Sequence, residues 1–599
     1  MCGLFSISSR IAFNQNDIDI ANKSIKNLKH RGPDGNGVWI DKNNLYLLGH
    51  TRLAIQDLSE IASQPMINNN NTLIFNGEIY NYLELKKNLE SKGYSFKGTG
   101  DTEVVLASWQ EWGEDAFNKF DGMFSIVIYD GITLTVATDA FGEKTIYYSE
   151  INNKIYISSE LSTLVSELNL KPKINDKYNT LFMINGNIPA PDTFFHNTYK
   201  VNPATIIKIR LGKVLSERQY WSLPPLSINN AFPVKKLTKK QLRTVTDSIV
   251  ESIESRLSSD VGVCLLLSAG IDSSLIAALL KYEIGYDIDC ITASFGDSSV
   301  YDESTQASEL SKYLGLNHEI VNIDISKHTN ISNEIIDLYG QPFDNIATLA
   351  TKDITSAIST NYKVGISGYG GDEVFHGYGK SSYSYKYRYL INSHKSFRKL
   401  FSYLKFVNRN SKLSRWVDSF ISVKDYEQYI ALKLFPNINL LRNLPFFDDI
   451  SKSTYSQIGK LQEFIYTNEL QTVMPNSRNI SLDLGSMQSS FEIRSPFLNK
   501  KLVSTLNNYD YRSFIAFGQK TVLRDILKTY IPSNLVDRPK RGFVFPKEWV
   551  INQNNTTKSD LLHDSFTAFM KGNTHNNNYT RLRVRSLLLN NFIKKYSFK

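Results

Sequence analysis

The chain of 599 residues is 41% hydrophobic and 21% charged. That is the balance of a folded globular protein, and at roughly 150 residues per domain it implies two to four domains. No apolar run approaches the ~18 residues that would cross a bilayer, and the net charge of +9 is scattered rather than gathered on one stretch, so neither a membrane span nor a nucleic-acid partner is expected.

The opening Met1-Cys-Gly-Leu-Phe-Ser-Ile7 lacks the basic region, long apolar stretch and small-residue cleavage site of an export signal. Three cysteines, Cys2, Cys264 and Cys290, are too few and too scattered for a disulfide framework or a zinc site. A cytoplasmic location is expected. Residues 1–215 carry short apolar or alternating runs, Thr72–Phe75, Phe124–Tyr129 and Lys154–Ser158 among them, separated by Gly, Asn and Asp. This predicts a sheet-rich domain with interspersed helices such as Thr102–Trp109. Residues 216–240, polar and proline-bearing, read as a linker. From 241 to 553 helical periodicity alternates with compact apolar strands. Val261–Leu267 followed by a helix over Ser273–Tyr282 predicts strand, tight turn and helix, the unit of a parallel α/β sheet. Residues 380–475 are aromatic and basic and read as helical packing or as an acceptor surface. Residues 554–599 form an Asn-rich, weakly patterned extension.

Cys2 follows the initiator methionine directly. Removal of Met1 would leave a cysteine whose own α-amine, with an ordinary pKa of about 7.7–8.0, can take up the thiol proton. Nucleophile and base would then belong to one residue, and no separate histidine is needed. Taken singly, Asn76-Gly77 is also an ordinary hairpin turn, and Arg52 or Asp101 an ordinary surface charge. In order, however, Cys2-Gly3, His30-Arg-Gly-Pro-Asp-Gly35, Thr51-Arg-Leu-Ala-Ile-Gln56, Asn76-Gly-Glu-Ile-Tyr-Asn81 and Gly100-Asp101 resemble the class II glutamine amidotransferases, a family of N-terminal nucleophile hydrolases. The resemblance implies an α+β domain built as an αββα sandwich and a pocket for glutamine. Arg52 would pair with its α-carboxylate, and Glu78 and Asp101 would hold its α-ammonium. Asn76 and Gly77 would form the oxyanion hole. Thr138-Asp-Ala-Phe-Gly-Glu-Lys-Thr-Ile-Tyr147 departs from the family's Arg-Asp-x-x-Gly-x-Lys-Pro-Leu-Tyr.

Ser268-Ala-Gly-Ile-Asp-Ser273 sits between a predicted strand and a predicted helix. Unpaired N–H groups at a helix start, small residues and the peptide dipoles there favour a phosphate. No Gly-x-x-x-x-Gly-Lys-Ser/Thr string is present, so this is not a Walker loop. It resembles the Ser-Gly-Gly-x-Asp-Ser loop of ATP pyrophosphatases, with Ala269 in place of one glycine. Ser294-Phe-Gly296, Tyr301-Asp-Glu303, Ser367-Gly-Tyr-Gly-Gly-Asp-Glu373, Ser486-Met487, Glu492-Ile-Arg-Ser-Pro-Phe-Leu498 and Arg538-Pro-Lys-Arg-Gly-Phe543 come in the order found in asparagine synthetases. This second resemblance implies an α/β parallel-sheet nucleotide-binding domain with helical additions, using ATP and Mg2+. Leu266 and Phe295 would flank adenine, Ser268, Gly270, Ser273, Ser367 and Gly368 would contact the nucleotide, Asp272 and Asp372 would hold magnesium, and Lys540 would neutralise charge on pyrophosphate or adenylate. Lys520 and Arg524 read either as assisting cations or as plain helix-surface residues.

Two positions depart from asparagine synthetases. Tyr369 stands where that family normally carries an acid to handle the proton of the attacking ammonia, a poor base with an ordinary pKa near 10. Gln341-Pro-Phe-Asp-Asn345 replaces the usual Glu-Pro-Phe followed by Ala-Asp, with no arginine after it to grip a second carboxylate. β-Lactam-forming relatives carry the same tyrosine but have lost the N-terminal cysteine, which this chain keeps. The expectation is a ligase that takes ammonia from glutamine at Cys2 and amidates an ATP-activated small carboxylate, with AMP and pyrophosphate as products. Aspartate is the first candidate. A uronic acid of a surface polysaccharide or a natural-product precursor is the alternative, and a glutaminase-type hydrolase with an inactive synthetase half is the third reading. Whether the chain forms a homodimer stays open.

Overall fold

The computed structural model describes residues 2–228, 233–296, 302–386, 444–447, 449, 461–538 and 580–597. Strands β1 (Gly3–Ser9), β2 (Gly35–Ile40), β3 (Tyr46–Arg52), β4 (Met66–Asn68), β5 (Asn71–Ile79), β6 (Gly122–Tyr129), β7 (Leu134–Thr138), β8 (Tyr147–Ile151), β9 (Lys154–Ser158), β10 (Thr198–Lys200), β11 (Thr205–Arg210) and β12 (Lys213–Gln219) build the first half. They form two six-stranded sheets, in the orders β10-β8-β9-β1-β3-β2 and β12-β11-β7-β6-β5-β4.

Both faces of the central strands are apolar because both are covered. In β1, Leu4 points between the sheets to meet Leu48, Ile74 and Val127. Its neighbours Phe5 and Ile7 point outward against Ala21 and Ile25 of the helix Gln15–Asn27. The second sheet repeats the arrangement: Val127 faces inward, while Phe124, Ile126 and Ile128 meet Val104 and Val105 of the helix Thr102–Trp112. With side chains alternating along a strand, this gives helix, sheet, sheet, helix, the αββα sandwich that the first resemblance implied.

A helix Lys239–Arg256, started by a reciprocal cap between Thr238 and Gln241, leads into the second half. Here β13 (Val263–Leu266), β14 (Asp289–Ser294), β15 (His318–Asn322), β16 (Val364–Ile366) and β17 (Glu492–Arg494) form a five-stranded sheet in the order β15-β14-β13-β16-β17. Every pairing in it is parallel. The expected helix after β13 runs over Ile271–Leu279. Chain order runs outward from β13 in one direction and resumes at β16 in the other, so the topological switch lies between these two strands. Ligands of open parallel sheets bind there, at the carboxyl ends.

The halves are joined by buried contacts. Leu53 and Ile55 from the first half pack with Val364 and Met487 from the second. The helix Thr580–Ser597 is the last described element. Its Leu588, Leu589 and Phe592 pack into a core shared with Phe182 and Phe194 of the first half and Ile335 and Ile336 of the second. Its Arg585, fully buried, donates to the carbonyls of Met183 and Ile184 at 2.6 and 2.8 Å and to Asp344 Oδ2 at 2.6 Å. Among the described residues no helix is long and apolar enough to cross a membrane.

Candidate active sites

Cys2 lies just before β1, buried at 8% exposure. Its amide N–H crosses from one sheet to the other and donates to Asn76 Oδ1 at 2.9 Å, while its carbonyl accepts from Arg31 Nε at 3.0 Å. Burial pushes the Cys2 thiol up, and the neighbouring positive chain terminus opposes this. Asn76 Nδ2 reaches Ser125 Oγ at 3.4 Å. Gly77 has φ +145°, and a Cβ there would sit 1.9 Å from the Met123 carbonyl oxygen, so only glycine lets β5 pass this close to β6.

Asp101 begins the helix Thr102–Trp112, and its Oδ2 accepts from Ile79 N at 2.9 Å. Glu78 and Asp101 are both buried. Burial drives Glu78 well above the usual carboxylate range and Asp101 up to about 7, Arg494 opposing in both cases. Arg52, at the end of β3, donates to the carbonyls of Ser59 and Asp57 at 2.9 and 2.5 Å. The structure therefore brings Cys2, Asn76, Gly77, Glu78 and Asp101 together.

The second site sits at the switch between β13 and β16. After β13, Ser268 Oγ and Ser273 Oγ are 2.9 Å apart and Gly270 N donates to Ser268 Oγ at 3.1 Å, closing a tight turn before the helix. After β16, the Ser367 N–H donates to the Arg494 carbonyl at 2.9 Å, and Gly368 lies so near the first loop that a Cβ would meet Ser273 N at 2.9 Å. Leu266 and Phe295, at the ends of adjacent strands, pack half-buried on one apolar cluster. The geometry thus gathers Leu266, Ser268, Gly270, Asp272, Ser273, Phe295, Ser367, Gly368 and Asp372 at the carboxyl edge of one sheet.

Lys520 resolves the two readings left open for it. It is 5% exposed, and its ammonium bonds both Asp272 Oδ2 and Asp372 Oδ1, the latter at 2.9 Å. Burial acts to lower its pKa, but the two carboxylates outweigh this and hold it raised. Arg524 instead caps the Val536 carbonyl and meets Asp537 near the surface. Tyr369 is half-buried against the apolar core, and desolvation pushes its phenol above the usual value; its N–H donates to Ser367 Oγ at 3.3 Å. Gln341 Oε1 accepts from Phe194 N at 3.0 Å. Lys540 lies outside the described residues, as do most of 387–460.

Sequence reasoning missed the contacts that tie the sites together. Arg31 donates at once to the Cys2 carbonyl, to Glu160 Oε1 at 2.9 Å and to Asp483 Oδ2 at 2.8 Å in the second half. Lys144 Nζ is 3.4 Å from Asp483 Oδ1, and Asn479 Nδ2 donates to the Phe141 carbonyl at 2.9 Å. The divergent segment 138–147 therefore keeps its contact with the second half. Between Glu143 and Lys144 on one side and Asn479, Asp483 and Ile493 on the other is a cavity of about 10 Å³, the room of a single water-sized molecule.

Comparison with known proteins gives two family matches along the chain. Residues 1–221 match the glutamine amidotransferase domain and residues 244–590 match asparagine synthase. The chain belongs to the asparagine synthase family. It is 28% identical over 591 residues to asparagine synthetase (glutamine-hydrolyzing) 1 of Bacillus subtilis, covering 95% of this chain and 90% of that one. It is 33% identical over 405 residues to a putative asparagine synthetase (glutamine-hydrolyzing) 2 of Methanocaldococcus jannaschii, covering 63% and 76%. It is 28% identical to the amidase chry2 of Gibberella zeae over 59% of this chain and 54% of that one. A glutamine amidotransferase domain followed by an asparagine synthase domain makes the chain a glutamine-hydrolysing carbon–nitrogen ligase of this family.

Proposed function

We propose that residues 1–215 hydrolyse glutamine and that residues 241–553 use the ammonia to amidate a carboxylate activated by ATP. The single observation that carries this reading is Arg31, whose guanidinium bonds the Cys2 carbonyl and the Asp483 carboxylate together. The residue next to one reaction and a helix beside the other are thereby parts of one rigid contact.

In the first half, the α-amine of Cys2, once Met1 is removed, takes the thiol proton and the sulfur attacks the glutamine amide carbon. Asn76 Nδ2 and the Gly77 N–H stabilise the oxyanion. Arg52 binds the substrate's α-carboxylate, and Glu78 and Asp101 its α-ammonium. Ammonia leaves, and water releases glutamate from the thioester. Free ammonia would be protonated in water and could not attack, so a protected passage is needed. The cavity between Glu143, Lys144 and Asp483 is of a size to form part of it.

In the second half, a carboxylate oxygen of the acceptor attacks the α-phosphorus of ATP and pyrophosphate departs. Ammonia then attacks the acyl carbon and AMP departs. Ser268, Gly270, Ser273, Ser367 and Gly368 cradle the phosphates, and Leu266 and Phe295 flank the base. Asp272 and Asp372 already share one cation, the Lys520 ammonium, so the pair has the donor chemistry to hold magnesium. That ion would lower the repulsion among phosphate oxygens. Lys520 supplies positive charge at the same place, and Lys540 is proposed to add to it.

Aspartate is the first acceptor to test. A second reading, amidation of another carboxylate such as a uronic acid or a natural-product precursor, is favoured by Tyr369. As a half-buried phenol with a raised pKa it is a hydrogen-bond donor at neutral pH rather than a proton acceptor. Pyrophosphate release measured over a panel of carboxylic acids, with ATP and glutamine present, distinguishes the readings. Release with aspartate alone supports the first and release with another acid alone supports the second. A silent panel in which glutamine is still hydrolysed leaves only the glutaminase.

A further inference from the structure

The edge strand β17 carries two ions with no solvent exposure, Glu492 and Arg494, two residues apart and so on one face. Arg494 hydrogen-bonds through two of its three guanidinium nitrogens and forms an ion pair through the third. Nε donates to Glu492 Oε1 at 2.7 Å, and Nη1 donates to the carbonyls of Arg256 and Ser258 at 2.8 and 2.6 Å. Nη2 lies 3.4 Å from Glu78 Oε1. The first three contacts stay within the synthetase half, and the fourth crosses into the glutamine pocket. The guanidiniums of Arg256 and Arg494 also lie 4.2 and 5.8 Å from the ring centre of Tyr80, two residues beyond Glu78. This end of β5 is therefore held by cations from the other half.

The charges at this boundary do not balance without help. Glu78, Asp101 and Glu492 are three buried acids; Arg494 is set among them, and Lys144 also acts on Glu492. Burial favours the protonated form of Glu78 and Asp101, and the Arg494 guanidinium opposes this. A lysine has the charge but not the planar fork that reaches two carboxylates and two carbonyls together.

We propose that Arg494 is a positioning residue of the glutamine pocket: from the synthetase sheet it holds the Glu78 carboxylate in place for the α-ammonium of glutamine. This rests on the reading of Glu78 as a ligand of that ammonium. Glutamine is then bound well only while the two halves are docked.

The test is a cycle of Glu78→Gln, Arg494→Lys and the double variant in the full-length enzyme. It measures the KM and kcat of glutamine hydrolysis, with circular dichroism as the check on folding. Arg494→Lys is expected to raise KM for glutamine by about tenfold while kcat falls by less. In the double variant KM should rise no further than in Glu78→Gln alone, because Arg494 acts through Glu78. If Glu78→Gln raises KM but Arg494→Lys does not, or if the two effects multiply, the pocket reading stands and the role of Arg494 is overturned. If Glu78→Gln itself leaves KM unchanged, the pocket reading falls and takes this proposal with it. Arg494→Gln, neutral but still able to donate to the carbonyls, is the second variant. Failure of both Arg494 variants to fold would assign the residue to the fold and overturn the proposal.

Discussion

The glutaminase site is assembled across the layers of a sandwich, and the synthetase site along the edge of a sheet. Cys2 and Asn76 are 74 residues apart and meet because β1 and β5 lie in stacked sheets. The strands fix such residues through pairing on both sides, and a one-residue slip would turn every one of them away. Ser273 and Gly368 meet because adjacent parallel strands end together, each running out into a loop. The first construction fixes Cys2, the proposed nucleophile, against Asn76. The second lets distant segments such as Lys520 contribute.

Three substitutions break this comparison at different points. Cys2→Ala should abolish glutamine-dependent product formation, by more than about a thousandfold, because no other group supplies the attacking sulfur. Added ammonium should still support synthesis, which a coupled pyrophosphate assay will read. Lys520→Met should lower ammonium-driven pyrophosphate release by about a hundredfold, since Asp272 and Asp372 then face each other without their shared ammonium. Glutamine hydrolysis should change much less. Equal loss in both assays would mean that the two sites are not separable. The smallest effect concerns pH. Asp101 is driven up to about 7 by burial, so it gains a proton as pH falls through neutrality and loses its hold on an ammonium group. The KM for glutamine should therefore rise by about fivefold between pH 8 and pH 6. Asp101→Asn should have a high KM with that dependence removed.

The strands were legible where both faces had to be buried. Phe124–Tyr129 and Lys154–Ser158 fall in β6 and β9, and the turn Ser268–Ser273 joins a strand to a helix as its small residues require. The candidate residues were legible as ordered motifs, since each motif is local. The links between the two sites were not. Arg31 with Asp483 and Arg494 with Glu78 pair residues more than four hundred positions apart, and no local pattern marks a charge as buried. Lys520 looked like any helix-start lysine until its carboxylate partners were placed around it. The last helix was obscured by the Asn-rich stretch before it. Even so, Leu582, Leu589, Phe592 and Tyr596 recur at spacings of three, four and seven, which is a helical signal.

The central claim is that nitrogen released at Cys2 ends in the product of the synthetase half. Glutamine labelled with 15N in its amide, supplied with ATP, the accepted carboxylic acid and unlabelled ammonium, tests it most directly. The account predicts an amide product enriched in 15N well above the label in bulk ammonium, with one pyrophosphate released per amide. Product carrying only the isotope ratio of the bulk ammonium would contradict it.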